Sequence, residues 1–324
     1  MPMLNEHKKG ENYSIYLLIK SAEKRMTSKS SPYIRLTLTD RSGEIQANLW
    51  DAVRKNVPIY VPGKVVILNV LQDEYQSKPQ LKIQEIRLAN GTEPSDPSCN
   101  EISSPVSKKE LQSQINDLLF QITNPTWNRV VRNILNKYAD KYYEYPAAEK
   151  IHHAYRGGLA FHSLSIAKLA LAVSDLYPQI NRSLLLAGAL LHDIGKTKEL
   201  SGPVGTEYTT EGQLLGHIVI GDEIIVQAAE ELGFDLNSED MLLLRHLILS
   251  HHNKLEFGSP IQPRELEAFV LSKLDDLDSH IQLITTAVNK TSAGNFSEKI
   301  FAADNQAYYR PKTDLSEKSD QNDD

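Results

Sequence analysis

The chain has 324 residues, 40% of them hydrophobic and 24% charged, with a formal net charge of −7. This length favours about two domains, and the composition is that of an ordinary globular protein. The single cysteine, Cys99, excludes an internal disulfide and a cysteine-based zinc site and suits a cytoplasmic location, and no apolar run approaches the ~20 residues of a membrane span, so we expect no membrane association.

Residues 14–88 show the alternation of apolar and polar side chains that is typical of β-strands. The segments "YIRLTLTD" and "EIQANLW", joined by "RSG", predict a hairpin. Three further strands are predicted in "YSIYLLIKSAEKR", "GKVVILNVLQDEYQ" and "PQLKIQEIRL". With a short helix predicted at 51–57, between strands three and four, this order is that of the OB-fold, a barrel that often binds oligonucleotides. We therefore expect an all-β OB-fold domain over residues 1–90.

The charge is divided unevenly between the two parts of the chain. Residues 1–90 contain 14 Lys/Arg and 9 Asp/Glu, whereas the remainder contains 21 and 33. A basic barrel favours contact with phosphates, and an acidic remainder attracts cations. Tyr33, Trp50 and Tyr75 are candidate stacking platforms for bases. Trp50 fits the barrel core equally well, whereas Tyr33 and Tyr75, beside turns, are expected to be exposed.

The rest of the chain is predicted to be a linker, a helical domain and a tail. Residues 91–107 are rich in Pro, Ser and Asp without periodicity, which indicates a linker. An all-α helical bundle is predicted over 108–312, and the polar, acidic residues 313–324 are predicted to be disordered. Helices are expected at 108–122, 125–143 and 159–177. Later helices are expected to begin at Asn181, at a capping box of Thr210 with Gln213, at Ser238 and at Pro263.

Apolar-flanked histidines recur on four successive predicted helices, and an aspartate follows on a fifth. Consecutive helices with short loops pack as neighbours, so one polar position on each can converge inside a bundle. Burial of such groups is costly unless they are paired, and a divalent cation uses their lone pairs. Imidazole and carboxylate ligands without sulfur suit Mn, Fe, Co, Ni or Zn. The candidates are His162, His192, Asp193, His217, His251, His252 and either Asp275 or Asp278.

The number of these groups suits two ions that share a carboxylate. Two such ions clamp the attacking and leaving oxygens of a phosphoryl displacement. Asp193 is the predicted bridge, and Lys196, one turn later, is predicted to neutralise phosphate oxygens. Taken singly, the histidines also fit structural roles, as core residues or as complements to a helix dipole. The apolar stripe of the last helix lies nearer Asp278 than Asp275, so helical geometry favours Asp278 as the final ligand.

The order H…HD…H…HH…D, centred on "LLHDIGKTKELSGP", resembles the HD superfamily of metal-dependent phosphohydrolases. More narrowly, "HHAYRGGLAFHS", "EGQLLGHI", "LSHHNKLEFGSP", "LDDLDSH" and "GNFSEKIFAADNQAYYRP" resemble the YhaM family of 3′-to-5′ exoribonucleases from Gram-positive bacteria. The resemblance covers roughly residues 10–312 and implies an OB-fold joined to an HD domain. It also implies release of nucleoside 5′-monophosphates from a free 3′ end of single-stranded RNA, with single-stranded DNA as a further candidate, by metal-activated water.

The resemblance also assigns roles to individual residues. It implies catalytic roles for Asp193 and Lys196 and prefers Asp275 to Asp278 as the last ligand. The implied cofactor is a pair of divalent ions, with Mn²⁺ first and Mg²⁺, Co²⁺ or Fe²⁺ as alternatives. Before the first ligand, His153, Tyr155 and Arg156 are candidate nucleic-acid contacts, with a simple turn at "AYRGG" as the alternative. The implied ligands are His162, His192, Asp193 and Asp275 for the first ion, and Asp193, His217, His251 and His252 for the second.

Two other functions fit the sequence. One is a phosphohydrolase of nucleotides or cyclic dinucleotides, although such substrates need no strand-binding barrel. The other is a non-catalytic protein that binds single-stranded nucleic acid and whose helical half assembles subunits. A homo-oligomer is compatible with the sequence, which does not indicate the number of subunits.

Overall fold

The computed structural model describes residues 3–27, 30–50, 61–75, 78–97, 100, 102–149 and 153–313. The helix predicted at 51–57, Cys99 and residues 314–324 of the predicted tail lie outside these ranges. Within them, the chain folds as a β-barrel followed by a bundle of helices. The predicted fold class, an OB-fold-like barrel and then an all-α region, is confirmed.

The barrel is closed by strands whose inward side chains are apolar. Leu36 and Leu38 are fully buried, whereas Arg35 and Thr37, which alternate with them along the strand, are partly exposed. The strand order is β1-β2-β3-β5-β4, and a parallel pair between Ala47 and Leu81 joins β3 to β5. The strands are β1 (Asn12–Met26), β2 (Pro32–Asp40), β3 (Gly43–Trp50), β4 (Val65–Tyr75) and β5 (Lys78–Leu88).

The helical bundle is built around two apolar helices, α4 and α5, which pack against each other and share one core with the helices around them. All the side chains of α5 from 183 to 191 are buried. The helices are α1 (Lys108–Leu119), α2 (Pro125–Lys137), α3 (Ala139–Tyr142), α4 (Gly158–Leu176), α5 (Arg182–Leu191), α6 (Lys196–Glu199), α7 (Thr210–Glu231), α8 (Glu239–Ser250) and α9 (Leu266–Asn289).

The helix α4 is long and apolar enough to cross a membrane by length and composition alone. The expectation that no segment has these properties was therefore wrong. Of its most apolar window, 44% is buried, and the helix packs against α5 and α9. The core helix of a bundle has the same composition as a membrane span, because both are surrounded by apolar groups.

Two of the predicted helix starts are at the expected residues. The side chain of Asn181 accepts a hydrogen bond from the Leu184 amide, so it caps α5 as predicted. Ser238 occupies the cap position of α8, but its hydroxyl donates to the Asp235 carbonyl instead of capping the helix.

Other helix boundaries differ from the prediction by a few residues. The cap of α7 is Thr209, whose hydroxyl accepts from the Gly212 amide, and not a box of Thr210 with Gln213. The last helix begins after Glu265 rather than at Pro263, because the Glu265 backbone is still extended (φ −140°, ψ 156°). The segments predicted as 108–122 and 125–143 end as helices at Leu119 and, after a break at Tyr138, at Tyr142.

Candidate metal centre

The predicted ligand residues lie where five helices of the bundle meet. His162 is in α4, His192 ends α5 and Asp193 follows it. His217 lies in α7, His251 ends α8 and is followed by His252, and Asp275 is in α9. One ligand atom from each of Asp193, His217, His251 and His252 lies within 4.8 Å of the others, and the same is true of His162, His192 and Asp193.

The buried Asp193 carboxylate lies between these two groups. Its Oδ2 atom is 3.4 Å from His192 Nε2 and 3.7 Å from His162 Nε2. Its Oδ1 atom is 3.5 Å from His217 Nε2 and 3.9 Å from His251 Nε2. Atoms bound ~2.0–2.2 Å from one ion lie about 3–3.5 Å apart. The spacing on each side of Asp193 therefore resembles one coordination sphere.

The ring orientation of three histidines is set by backbone carbonyls behind them. Because a carbonyl oxygen only accepts, each Nδ1 must donate its hydrogen, which leaves Nε2 with a free lone pair directed to the centre. The acceptors are Ala189 for His192 (3.1 Å), Ile248 for His251 (2.7 Å) and Phe257 for His252 (2.8 Å).

Several polar atoms at the centre are buried without a hydrogen-bond partner among the described residues. They are the Nε2 atoms of His192, His217 and His251 and the Oδ1 atom of Asp193. An unpaired buried polar group costs about 1–3 kcal/mol, and four that converge are not expected in a plain core. A divalent cation coordinated by imidazole and carboxylate removes this cost, so the residues present fit such an ion.

His217 reaches the centre through a break in α7. Gly216 has φ 75° and ψ 152°, a left-handed backbone that interrupts the helix and that glycine adopts without strain. The freed His217 amide and His217 Nδ1 both donate to Glu199 Oε1, at 2.9 and 3.1 Å. A Cβ at Gly195 would lie 2.0 Å from the His217 carbonyl, so Gly195 allows this close approach. The role of Glu199 was not foreseen, because nothing in its local pattern indicates a contact with His217.

Asp275 and Asp278 both contact His162, from opposite sides of its ring. Asp275 Oδ1 is 3.1 Å from His162 Nε2, on the side of the centre, and 3.9 Å from His192 Nε2. Asp278 Oδ2 is 2.7 Å from His162 Nδ1, on the far side. The helical geometry that favoured Asp278 therefore identified the more buried residue, but Asp275 is the one adjacent to the other predicted ligands.

Lys196 is buried beside Asp193. Its Nζ atom donates to Asp193 Oδ2 at 2.7 Å. Burial lowers the pKa of this amine, but Asp193 outweighs burial and raises it, so Lys196 stays positively charged. Burial likewise raises the pKa of Asp193, yet Lys196 and His192 hold it well below its usual range. The carboxylate is therefore ionised, and each of its two oxygens can bind a cation.

The histidines of the two groups differ in their protonation. Burial, with the neighbouring His252 and His192, lowers the pKa of His251 well below its usual value, so this ring is neutral. Burial would also lower the pKa of His162, but hydrogen bonds to Asp275 and Asp278 raise it to about 9. A cation that binds to His162 must therefore displace a proton.

An open cavity of about 450 Å³ leads to the centre. This volume is within the ~300–1,000 Å³ range of small-molecule sites. Lys196, Asp275 and Tyr208 line it, and Tyr208 is 44% exposed. The sequence did not single out Tyr208, which lines the same cavity as Lys196 and Asp275.

Of the two candidate aromatic side chains of the barrel that the structure describes, one lies at the surface and the other is buried. Trp50 is 56% exposed and its ring packs on Tyr33, with the ring centroids 4.8 Å apart. The expectation that Tyr33 is exposed was wrong, because its ring lies under Trp50 and only 8% of the residue is accessible. The backbone of Tyr75 ends β4, and its side chain lies outside what the structure describes.

Arg156 lies next to the boundary between the barrel and the bundle. Its Nε atom donates to Glu144 Oε2 at 2.5 Å, and its backbone pairs with Ser103. Arg156 lines a small cavity together with Lys20 and Glu44 of the barrel. The guanidinium is half-buried in this position, where it supports the turn before α4 and faces the barrel.

Family models match two parts of the chain. The HD domain model matches residues 159–279, which contain all the predicted ligands. A second model, described as a putative helicase, matches residues 99–181.

Curated relatives match almost the whole chain. The 3′-5′ exoribonuclease YhaM of Bacillus licheniformis is 43% identical over 305 residues, which is 94% of this chain and 96% of that protein. The YhaM protein of Geobacillus sp. is 43% identical over 93% of both chains. That of Bacillus subtilis is 42% identical over 94% of this chain and 96% of its own.

A solved structure is similar to part of the chain. It is a domain of replication protein A from Methanococcus maripaludis, 15% identical, which matches 30% of this chain and 97% of its own length with a TM-score of 0.24.

Proposed function

Because the chain belongs to the YhaM family of metal-dependent 3′-5′ exoribonucleases, we propose that the cluster around Asp193 is its hydrolytic centre and that it cleaves single-stranded RNA. The proposal includes two divalent ions, of which Mn²⁺ is the preferred candidate, and a cytoplasmic location for the protein. The observation that carries it is the set of buried, unpaired ligand atoms that converge on one carboxylate. Single-stranded DNA is a second substrate to test in the same assay.

The residues divide into two ligand groups that share Asp193. His162, His192 and Asp275 lie on the Oδ2 side, and His217, His251 and His252 lie on the Oδ1 side. When bound there, divalent ions supply Lewis-acid polarisation of a phosphate and lower the pKa of water. Asp193, held ionised by Lys196, is the group that both ions would share.

Lys196 and the cavity position the substrate. The charged Nζ atom of Lys196 lies at the edge of the cavity, where it donates to a non-bridging phosphate oxygen of a bound strand end. The cavity accommodates a terminal nucleotide, and the Tyr208 ring offers a surface for its base. Electrostatic stabilisation of this kind requires no base-specific contact, which suits an enzyme that degrades any sequence.

The barrel binds the rest of the RNA strand. Trp50 and Tyr33 lie opposite each other on β3 and β2, and Arg25 lies opposite Tyr33 on β1. An exposed aromatic ring beside cationic groups stacks bases and attracts phosphates without reading sequence. We propose that this face, with Arg156 at the boundary, holds the strand whose 3′ end enters the cavity.

The test is the direction and metal dependence of RNA cleavage by the full chain. An oligoribonucleotide labelled at its 3′ end should release the label as mononucleotide at once in Mn²⁺, whereas a 5′-labelled one should shorten stepwise. The double variant His192→Ala with Asp193→Ala, and the unchanged chain in EDTA, should release nothing. Mononucleotide release that survives the double substitution would place the chemistry elsewhere and contradict the proposal.

A further inference from the structure

Behind His162, a line of hydrogen-bonded side chains leads away from the metal centre. Asp278 Oδ2 is 2.7 Å from His162 Nδ1 and 2.8 Å from His153 Nε2. His153 Nδ1 is in turn 2.7 Å from the Tyr155 hydroxyl. His153, His162 and Asp278 are all buried. His153 and Tyr155 are outside the predicted ligand set, and Asp278, the alternative candidate for the last ligand, lies on the far side of His162 from the centre.

The donors and acceptors along this line are consistent in one arrangement. The ionised Asp278 oxygen accepts from His162 Nδ1 and from His153 Nε2, so each of these nitrogens carries a hydrogen. His153 Nδ1 is then an acceptor, and it receives the Tyr155 hydroxyl hydrogen. With Nδ1 as the donor to Asp278, His162 Nε2 is the nitrogen that faces Asp275 and Asp193, at 3.1 and 3.7 Å, and it becomes a metal ligand when a cation displaces its proton.

The same residues do not form a metal site of their own. His153, His162 and Asp278 offer three ligand atoms within 4.8 Å of one another. However, both nitrogens lie at hydrogen-bond distance from a single carboxylate oxygen, 2.7 and 2.8 Å, and these contacts already use the lone pairs and hydrogens. The group therefore supports an ion at the neighbouring centre rather than binding one.

The opposite side of the centre has a parallel support. Glu199 Oε1 accepts from His217 Nδ1 at 3.1 Å and leaves His217 Nε2 directed to Asp193. Thus one histidine in each ligand group is held from behind by a carboxylate that lies outside the two groups around Asp193. Asp278 supports the His162 side, and Glu199 supports the His217 side.

We propose that Asp278, held in turn by His153 and Tyr155, is a positioning residue that fixes the tautomer and direction of His162 and thereby sets the affinity of the Oδ2-side metal site. The inference rests on the proposed function, since it concerns the same centre. Tyr155 also lines the small cavity between the barrel and the bundle, beside Lys20 and Glu44. The line therefore connects the barrel boundary to a predicted metal ligand.

The experiment is a titration of the metal-free full chain with Mn²⁺ alone. Binding is monitored by electron paramagnetic resonance, as the loss of the signal of free Mn²⁺. Asp278→Asn keeps the size of the side chain but replaces an acceptor oxygen with a donor. We expect it to weaken one of the two binding steps about 10- to 100-fold. Glu199→Gln should weaken the other step, and Asp276→Asn, an exposed acid on the same helix, should weaken neither.

The rate of RNA hydrolysis at rising Mn²⁺ separates positioning from damage to the fold. Saturating Mn²⁺ should restore most of the kcat of Asp278→Asn, because the ligands themselves are intact. If Asp278→Asn does not fold, His153→Asn and Tyr155→Phe replace it. Asparagine tolerates the positive φ of His153 (48°) but does not reach Asp278 as the imidazole does. Tyr155→Phe removes the last hydrogen bond and should cost roughly 2- to 12-fold in affinity.

Each outcome bears on the inference. Unchanged Mn²⁺ affinity in Asp278→Asn and Tyr155→Phe, with binding lost in His192→Ala, would overturn the positioning role and leave the proposed centre standing. Absence of Mn²⁺ binding in the unchanged chain would overturn both. A selective loss in one step, recovered at high Mn²⁺, supports the inference.

Discussion

The barrel and the helical bundle carry their functional groups in opposite ways. In the bundle, the ligand atoms are buried and several have no partner among the described residues, a state that is costly without a bound cation. In the barrel, the functional candidate is an exposed ring, Trp50, which costs little whether or not a base covers it. A buried polar group without a hydrogen-bond partner therefore indicates a bound ligand more strongly than an exposed aromatic residue does.

The difference also predicts how the two regions respond to change. Loss of a predicted ligand in the centre should remove catalysis, because the proposal has these residues hold the ions as a unit around Asp193. Loss of a barrel side chain should weaken strand binding and leave the chemistry intact. The following four variants or conditions test this contrast, in order of decreasing effect.

The largest effect is expected from His251→Ala in the bundle. The ring is fully buried and its Nε2 atom is directed to Asp193, so the substitution removes a predicted ligand. Metal stabilisation of a phosphoryl transition state is worth several kcal/mol, so kcat should fall about 1,000-fold or more. Hydrolysis of a labelled oligoribonucleotide in Mn²⁺ measures it. His246→Ala, on the same helix but outside the cluster, is the control, and an equal loss in both variants would contradict the assignment.

Removal of divalent ions should destabilise the bundle. An ion at 100 times its Kd stabilises the folded state by about 2.7 kcal/mol, which corresponds to a Tm shift of about 5–10 °C for a domain of this size. Differential scanning calorimetry with Mn²⁺ and with EDTA tests this. The double variant His192→Ala with Asp193→Ala should show no such shift. A Tm of the unchanged chain that EDTA does not alter would mean that the buried unpaired atoms do not hold a metal.

In the barrel, Trp50→Ala should weaken binding of a single-stranded oligoribonucleotide. Stacking of one base is worth ~1–3 kcal/mol, so the Kd should rise roughly 5- to 150-fold, with kcat on a saturating substrate unchanged. Fluorescence anisotropy in EDTA, in which no cleavage is expected, gives the Kd. Trp50→Phe should retain most of the affinity, and Tyr177→Ala, an exposed aromatic of the bundle, should retain all of it. A fall in kcat without a change in Kd would remove the distinction between the two regions.

The smallest effect is a pH dependence of stability from the start of α9. Burial, reinforced by the Glu267 carboxylate, raises the pKa of Glu265 to about 8. The folded state therefore holds a proton that the unfolded chain releases near pH 4.5, so this contribution is complete below that pH and is lost as pH rises to about 8.

Glu265→Gln should remove this pH dependence. At pH 9 the variant should be more stable than the unchanged chain by about 1 kcal/mol, an amount that allows for partial solvent exposure, and the difference should shrink towards pH 5. Urea denaturation at both pH values measures it. Glu239→Gln, an exposed acid in the first turn of α8, is the control and should change the stability by the same amount at both pH values. Equal effects of both substitutions would contradict the raised pKa of Glu265 as the source of this pH dependence.

The strands of the barrel could be predicted because their alternation is local and continuous, as in "YIRLTLTD". The start of α5 at Asn181 was also predictable, since one side chain caps it. The exposure of Tyr33 was not, because it depends on Trp50 on the neighbouring strand. The local sequence pattern thus determines the secondary-structure elements, whereas contacts between neighbouring strands determine how far an aromatic side chain is exposed to solvent.

At the candidate metal centre, the residue types and their order predicted which helices converge, but not how far each side chain extends. A helical wheel gives the direction of Asp275 and Asp278 but not their partners, and the two lie on opposite sides of His162. The break at Gly216 and the support from Glu199 arise from contacts between helices and have no local signature.

The central claim is that Asp193 lies between two metal ions held by the groups on its two sides. Crystals of the full chain grown with Mn²⁺, measured at the manganese absorption edge, test it most directly. The account predicts two anomalous peaks on either side of the Asp193 carboxylate, one beside His162 and the other beside His217. Peaks that lie away from this carboxylate, or none at all under conditions in which the chain cleaves RNA, would contradict it.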